Sequence, residues 1–247
     1  MIVINITFAN LKFDKLKENI KHVFFDLDRT LWDFEKSAKQ TFVEIFISHK
    51  LDKKGIPSVS EFHKVYTIHN NRLWEQYRKG EIKKEVLRGL RFSLTLNDFN
   101  IFDANLGDKI GDDYVRLSPL TVNLFPYSIE ILEYLSPKYS LHIITNGFSE
   151  VQDIKLRTSG MDSYFVEVVT SEAAGYKKPD VRIFEYAFMK TGALPQNSIM
   201  IGDDYEVDIL GARDVNMPQI FFDPEKKYSK NTSTYYINNL KDIEGIL

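Results

Sequence analysis

The chain has 247 residues, 43% of them hydrophobic and 27% charged, ordinary values that exclude a disordered, collagen-like or low-complexity protein. With 32 Lys and Arg against 35 Asp and Glu, a net charge of −3 and a pI near 6.0, it offers no basic field for a nucleic acid polymer. It has no cysteine, which excludes disulfides, thiolate nucleophiles and cysteine-ligated zinc, and its apolar runs fall far short of the roughly 20 residues that span a bilayer. A cytoplasmic protein with no membrane partner is expected.

The first 20 or so residues, MIVINITFANLKFDKLKENI, have neither a basic segment ahead of the apolar part nor a small-residue cleavage site, and read as an appended arm rather than a secretory leader. From His22 to Asp26 comes a short apolar run ending in acids, the pattern of a buried strand that opens into a loop. Between about Trp32 and Leu117 the period is helical. Apolar residues recur three and four apart at Phe42, Ile45 and Phe46 and again at Phe62, Val65 and Tyr66, with turn signals at 55–58 (GIPS) and 79–81 (KGE). About four helices are expected there.

After Pro126 helix and strand alternate. Helices are expected over 127–135, 150–159, 181–191 and 206–215, and strands over 139–145, 164–170, 198–202 and 219–223. Repeated units of this kind specify an α/β fold with a doubly wound parallel sheet. The strand at 22–26 needs the same sheet, so the helical stretch reads as an insertion. The expected organisation is a core of 1–32 and 119–247 with an all-helical cap domain of 33–118.

Sites in such sheets lie beyond the carboxyl ends of the strands. The first strand ends in FFDLDRT, with Asp26 and Asp28 two apart and on one side if the extended geometry persists. The second ends in IITNG, where Thr145 and Asn146 offer a hydroxyl and an amide and Gly147 admits close backbone approach. Beyond the third, Lys177 and Lys178 precede a proline that opens the next helix. The fourth ends in IGDDYEVD, supplying Asp203, Asp204 and, a helical turn later, Asp208, of which at least one should cap the helix. Taken singly each feature is ordinary loop chemistry. Together they form the complement needed to hold Mg2+ and a phosphoryl group. The five histidines lack metal-ligand spacing and receive no role.

These segments resemble the four motifs of the haloacid dehalogenase-like hydrolases: VFFDLDRTL (23–31), IITNG (143–147), GYKKPDVRIFEYA (175–187) and IGDDYEVDILGA (201–212). The resemblance implies a Rossmann-like core in which Asp26 is the nucleophile that forms an aspartyl-phosphate. Asp28 is then the general acid and base and binds Mg2+ through its backbone carbonyl. Thr145 and Lys178 hold the phosphoryl group, Asp203 is the acidic metal ligand, and Asp208, with Asp204 behind it, supports the metal. Arg29 departs from the usual glycine of the first motif, where a side chain could crowd the loop or point outward; the outward orientation is expected, because Thr30 and Leu31 continue the pattern. Family members that cleave carbon–halogen bonds lack the second aspartate, so Asp28 favours phosphoryl transfer. An insertion directly after the first motif marks the subgroup with a small helical cap.

A closer resemblance is to bacterial pyrimidine 5′-nucleotidases, through LWEQYRKGEI (73–82), TNGF (145–148), KPDVRIFEYA (178–187) and VDILGA (207–212). It implies a nucleoside monophosphate substrate, with Asn146, Gly147, Trp74, Tyr77, Arg78 and Lys79 as contacts and Phe148 as a further candidate. Trp74 and Tyr77, at i and i+3, read equally well as helix core. The competing enzyme readings are a phosphatase for sugar phosphates or other small metabolites and a phosphomutase that uses Lys79 or Lys83 for a second phosphate. A rival of another class is a catalytically idle interaction module. The expected partner is a small phosphate ester.

Overall fold

The computed structural model describes residues 18–228 and 232–247, so nearly all of the arm read at the N-terminus lies outside the described residues. The chain forms two compact units. One comprises, among the described residues, everything up to Asp33 with Leu124–Ser149 and Ser159–Leu247; the other comprises Phe34–Asn123 and Glu150–Thr158.

The first unit is built on a six-stranded, all-parallel sheet. Its strands are β1 (His22–Phe25), β2 (Ser140–Thr145), β3 (Phe165–Thr170), β4 (Ser198–Gly202), β5 (Gln219–Phe222) and β6 (Tyr235–Ile237), in the order β3-β2-β1-β4-β5-β6. Strands β4 and β5 are buried along their whole length, SIMIG and QIFF at every position, as expected where both faces of a parallel sheet are covered. Among the covering elements are α5 (Ser128–Leu135) and α7 (Val181–Thr191); Phe24, Ile144, Met200, Ile183, Phe184 and Ala187 share one apolar core. The strand order reverses at β1, which pairs with β2 on one side and β4 on the other, Phe25 opposite Ile143 and Ile201. The sequence reading missed β6. It is three residues long, and its polar approach (NTST) and flanking asparagines hide it from any alternation test. The helix read at 206–215 is a π-helical segment, Tyr205–Leu210, followed by one α-helical turn, Gly211–Asp214.

The second unit is helical: α1 (Phe34–Ser48), α2 (Val59–Arg78), α3 (Lys84–Asp98), α4 (Ala104–Leu117) and α6 (Ser149–Ser159). Two starts are capped as their sequences dictate: Ser58 Oγ accepts from the Glu61 N–H at 3.2 Å, and an Asp103 carboxylate oxygen from the Leu106 N–H at 2.9 Å. Gly55 and Gly80 take positive φ at the two turns. The core is aromatic, with Phe42 stacked on Tyr114 (5.1 Å between centroids) and Tyr66 on Phe92 (5.0 Å). α3 and α4 pack closely because Gly111 faces α3; a Cβ there would lie 2.7 Å from the Arg88 carbonyl oxygen.

The sequence reading assigns 119–123 and 150–158 to the core, and the structure groups them with the helices instead. Helix α6 is tied there by Lys84 Nζ at 2.7 Å from Glu150, and by Thr158 Oγ1 donating to the Pro119 carbonyl at 2.9 Å. These polar ties cannot be read from hydrophobic periodicity.

Candidate active site

The carboxyl ends of β1, β2 and β4 and the loop after β3 converge on a buried acidic cluster. Asp26 directly follows β1, and its N–H donates to the Ile201 carbonyl of β4 at 2.9 Å, so the two central strands grip the backbone beneath the carboxylate. Asp26, Asp203 and Asp208 each place a carboxylate oxygen within 4.8 Å of the others. Gly202 makes room for this: a Cβ there would lie 2.4 to 2.6 Å from side-chain atoms of Asp208.

Lys178 enters the cluster from the loop ahead of α7 and is 1% exposed. Its Nζ lies 2.6 Å from Asp26 Oδ1 and 2.6 Å from Asp208 Oδ1, and donates to the Ile144 carbonyl at 2.7 Å. Burial alone would lower the pKa of this ammonium, but the carboxylates of Asp208 and Asp26 outweigh it and hold the pKa above its usual value. On the acidic side, burial pushes Asp26 up to about 7, against the pull of Lys178 and with added repulsion from Asp208. Asp203 is raised well above the carboxylate range by burial and by Asp26 and Asp208. Asp208 is raised by burial, against the pull of Lys178. The same crowding that raises these three acids is relieved by a cation: with all three ionised beside one ammonium, two negative charges would be left over in the site, the deficit a divalent cation fills. The spacing fits as well, since Mg–O distances of about 2.1 Å put opposite ligands about 4.2 Å apart.

The other residues read from the strand ends divide into two kinds. Thr145 is buried at the end of β2, its hydroxyl accepting from the Gly147 N–H at 3.0 Å. Asn146 also has a partner within the protein: its Oδ1 accepts from the Lys178 N–H at 2.8 Å and its Nδ2 donates to the Lys178 carbonyl at 2.9 Å, so the amide holds the lysine's backbone. Asp204 is the helix cap, accepting from the N–H groups of Glu206 and Val207 at 3.1 Å, which separates it from the cluster that Asp208 joins. Thr30, which the sequence reading did not single out, is fully buried and its hydroxyl lies 3.4 Å from Asp203 Oδ1.

Asp28 is partly buried, and its charge adds to the upward push on Asp26. It sits in a tight loop in which the N–H groups of Leu31 and Trp32 both donate to the Leu27 carbonyl. Arg29 has φ 64° in that loop, the left-handed region where glycine is cheapest, and it is exposed. The side chain therefore points outward. Of the residues in the helical unit, Trp74 and Tyr77 meet edge to face at 5.5 Å, Tyr77 is 5% exposed, and Lys79 pairs with Glu75 at 2.6 Å on the surface.

The model of the haloacid dehalogenase-like hydrolases matches residues 20–216. The chain belongs to that family. The matched stretch contains Asp26, Lys178, Asp203 and Asp208. Among relatives of this hydrolase family, the pyrimidine 5′-nucleotidase YjjG of Escherichia coli is 25% identical, with 91% of this chain and 96% of YjjG covered. The ribulose-1,5-bisphosphate 5-phosphatase of Halopiger xanaduensis is 32% identical, over 83% of this chain and 85% of that protein. Among solved structures, the HAD-hydrolase YfnB of Bacillus subtilis, bound to magnesium, superposes with a TM-score of 0.82 at 24% identity, covering 92% of this chain and 98% of that one. Within this family fold, no described helix is long and apolar enough to cross a membrane.

Proposed function

We propose that this hydrolase is a Mg2+-dependent phosphomonoesterase acting through an aspartyl-phosphate, with pyrimidine nucleoside 5′-monophosphates as substrates. The observation that carries the reading is the Lys178 ammonium held 2.6 Å from both Asp26 and Asp208 in a cluster that Asp203 completes. A lysine so placed fixes the Asp26 carboxylate and leaves a net negative pocket suited to a divalent cation.

Asp26 attacks the phosphorus of the monoester, forming the Asp26 Oδ–P bond as the ester P–O bond breaks. Asp28 protonates the leaving alkoxide and then takes a proton from the water that hydrolyses the acyl phosphate, regenerating Asp26 and releasing phosphate. Thr145 and Lys178 donate to the phosphoryl oxygens. Asp26, Asp203 and the Asp28 carbonyl hold the cation, Asp208 supports it, and the bound ion supplies charge neutralisation. Asn146 keeps Lys178 in register through its backbone.

The substrate class rests on the strings shared with bacterial pyrimidine nucleotidases and on the relative that carries that name. Trp74, Tyr77, Arg78 and Lys79 are the substrate contacts this reading assigns to the helical unit, and the cytoplasm is the proposed setting. A second reading, a sugar-phosphate phosphatase, is favoured by the 32% identical relative.

The test is phosphate release with Mg2+ and with EDTA across pyrimidine and purine monophosphates, sugar phosphates and p-nitrophenyl phosphate. Release should need Mg2+, be strongest on pyrimidine monophosphates, and fall by about a thousandfold or more in Asp26→Asn with the fold intact. Asp26→Asn turning over at the wild-type rate would end the mechanism; release confined to sugar phosphates would end the substrate assignment alone.

A further inference from the structure

The helical unit carries a charged cleft that takes no part in the proposed chemistry. It has a volume of about 520 Å³ and lies between the turn that follows α1 and the N-terminal half of α4, so that its lining residues all belong to the helical unit. Lys50, Lys53 and Lys54 line it from the turn and Lys109 from α4, together with His49 and the buried Leu106. All four lysines are exposed, and none of their ammoniums pairs with a carboxylate among the described residues. The acids nearby are engaged elsewhere. Asp113 meets His49 Nε2 at 2.8 Å and Arg116 at 2.6 Å, Asp103 caps α4 through the Leu106 N–H, and Asp108 lies against Gly89 of α3. Asp52 stands between the lysines in sequence but does not line the cleft. The turn itself is pinned: Leu51 and Ile56 are buried in the aromatic core, the Leu51 N–H donates to the Phe46 carbonyl at 3.0 Å and the Ile56 N–H to the Leu51 carbonyl at 3.1 Å.

Like charges three and four positions apart repel, and a surface needed only for solubility interleaves both signs, as this chain does overall with 32 basic and 35 acidic residues. Four uncompensated ammoniums around one cleft therefore make a surface for concentrated negative charge. Lysine is a point donor on a flexible stem, suited to phosphate, whereas a planar carboxylate is the natural partner of arginine, and no described arginine lines the cleft. A phosphate group carries about −1.5 to −2 near pH 7, so two of them match four ammoniums. The volume falls within the roughly 300–1,000 Å³ of small-molecule sites. We propose that this cleft is a second anion site, for a small molecule with two or more linked phosphates, such as pyrophosphate or a nucleoside polyphosphate. The proposal stands apart from the phosphomonoesterase reading, since no residue of the cleft belongs to the acid cluster.

The experiment is isothermal titration calorimetry of the full-length protein in metal-free buffer with pyrophosphate, ATP and inorganic phosphate. It compares the wild type with Lys53→Ala/Lys109→Ala, Lys53→Arg/Lys109→Arg and Asp26→Asn, with Tm measured alongside. In the wild type, pyrophosphate should bind once per chain, about tenfold or more tighter than inorganic phosphate, and should raise Tm. Loss of two charge-assisted contacts should weaken that binding about tenfold or more in the double alanine variant, whose unliganded Tm should not fall, because a repulsion has been removed. The arginine variant, which keeps both charges, should bind within about threefold of the wild type, and so should Asp26→Asn, whose change lies in the acid cluster. ATP matching pyrophosphate assigns the recognition to the phosphates alone; ATP binding about tenfold tighter adds the nucleoside. Pyrophosphate and ATP both held no more tightly than inorganic phosphate would overturn the proposal, as would an affinity unchanged in the double alanine variant or lost in Asp26→Asn. Should the double alanine variant fail to fold, Lys54→Ala read for the same loss decides it.

Discussion

Lys178 shows how much one side chain carries here. Lysine is seldom fully buried, yet this one is 1% exposed, because its ammonium donates to Asp26 Oδ1 and the Ile144 carbonyl and pairs with the Asp208 carboxylate at 2.6 Å. Removing the ammonium leaves two buried carboxylates facing each other, an outcome that costs about 3–5 kcal/mol when one partner of a buried pair is lost. Lys178→Met is therefore expected to lower the urea midpoint sharply as well as to abolish ester turnover. A variant as stable as the wild type would show that the clamp contributes nothing to the fold. Sequence reasoning found Lys178 through the proline that follows it, and could not say that Asn146 is what holds its backbone. An asparagine before a glycine looks the same whether its amide faces a ligand or a neighbouring loop.

Among the elements, the contact of α3 with α4 has its own prediction. Glycine inside a helix ordinarily costs roughly 0.5–1 kcal/mol relative to alanine, so Gly→Ala at a roomy helical site is stabilising. At Gly111 the added Cβ would meet the Arg88 carbonyl at 2.7 Å, and a backbone atom cannot step aside without moving the helix. Gly111→Ala is expected to destabilise by about 1–3 kcal/mol, the usual cost of overpacking, read as a fall in Tm. A rise in Tm would show that α3 and α4 have room to separate. The helices themselves were legible from their period and from caps such as Ser58. That α6 belongs with them was not, because Glu150 and Thr158 act through partners far away in the chain.

For the whole molecule, the sheet carries a pH response independent of the candidate site. His142 on β2 is buried, lies 4.8 Å from the Phe24 ring and contacts His22 at 3.1 Å; burial first, and the His22 charge second, lower its pKa from 6.5 to about 4. It is neutral in the fold, while in the unfolded chain it takes up a proton below pH 6.5. Its contribution to stability is thus fully present above pH 6.5 and is lost as the pH falls toward 4, by up to about 3 kcal/mol over the window. Replacing His142 with Leu should flatten the fall in unfolding free energy between pH 6.5 and 4. A variant that follows the wild-type curve throughout would remove His142 as its source.

The amino-acid sequence by itself determined five of the six strands, the helical insertion and the acids at the strand ends, because these depend on local period and on residue chemistry over a few positions. The parallel pairing of β1 with β4 across more than 170 residues, which brings Asp26 to Asp203, follows from topology rules that apply to any chain with this alternation. Only the tertiary structure decided which acid does what: Asp204 turns to cap its own helix, while Asp208, four residues on, reaches back across Gly202 to Lys178. It likewise decided that a three-residue strand closes the sheet and that Arg91 is buried in the helical unit. Those facts depend on the packing of groups distant in sequence, where a few tenths of an ångström of room settle an orientation that composition and spacing leave open.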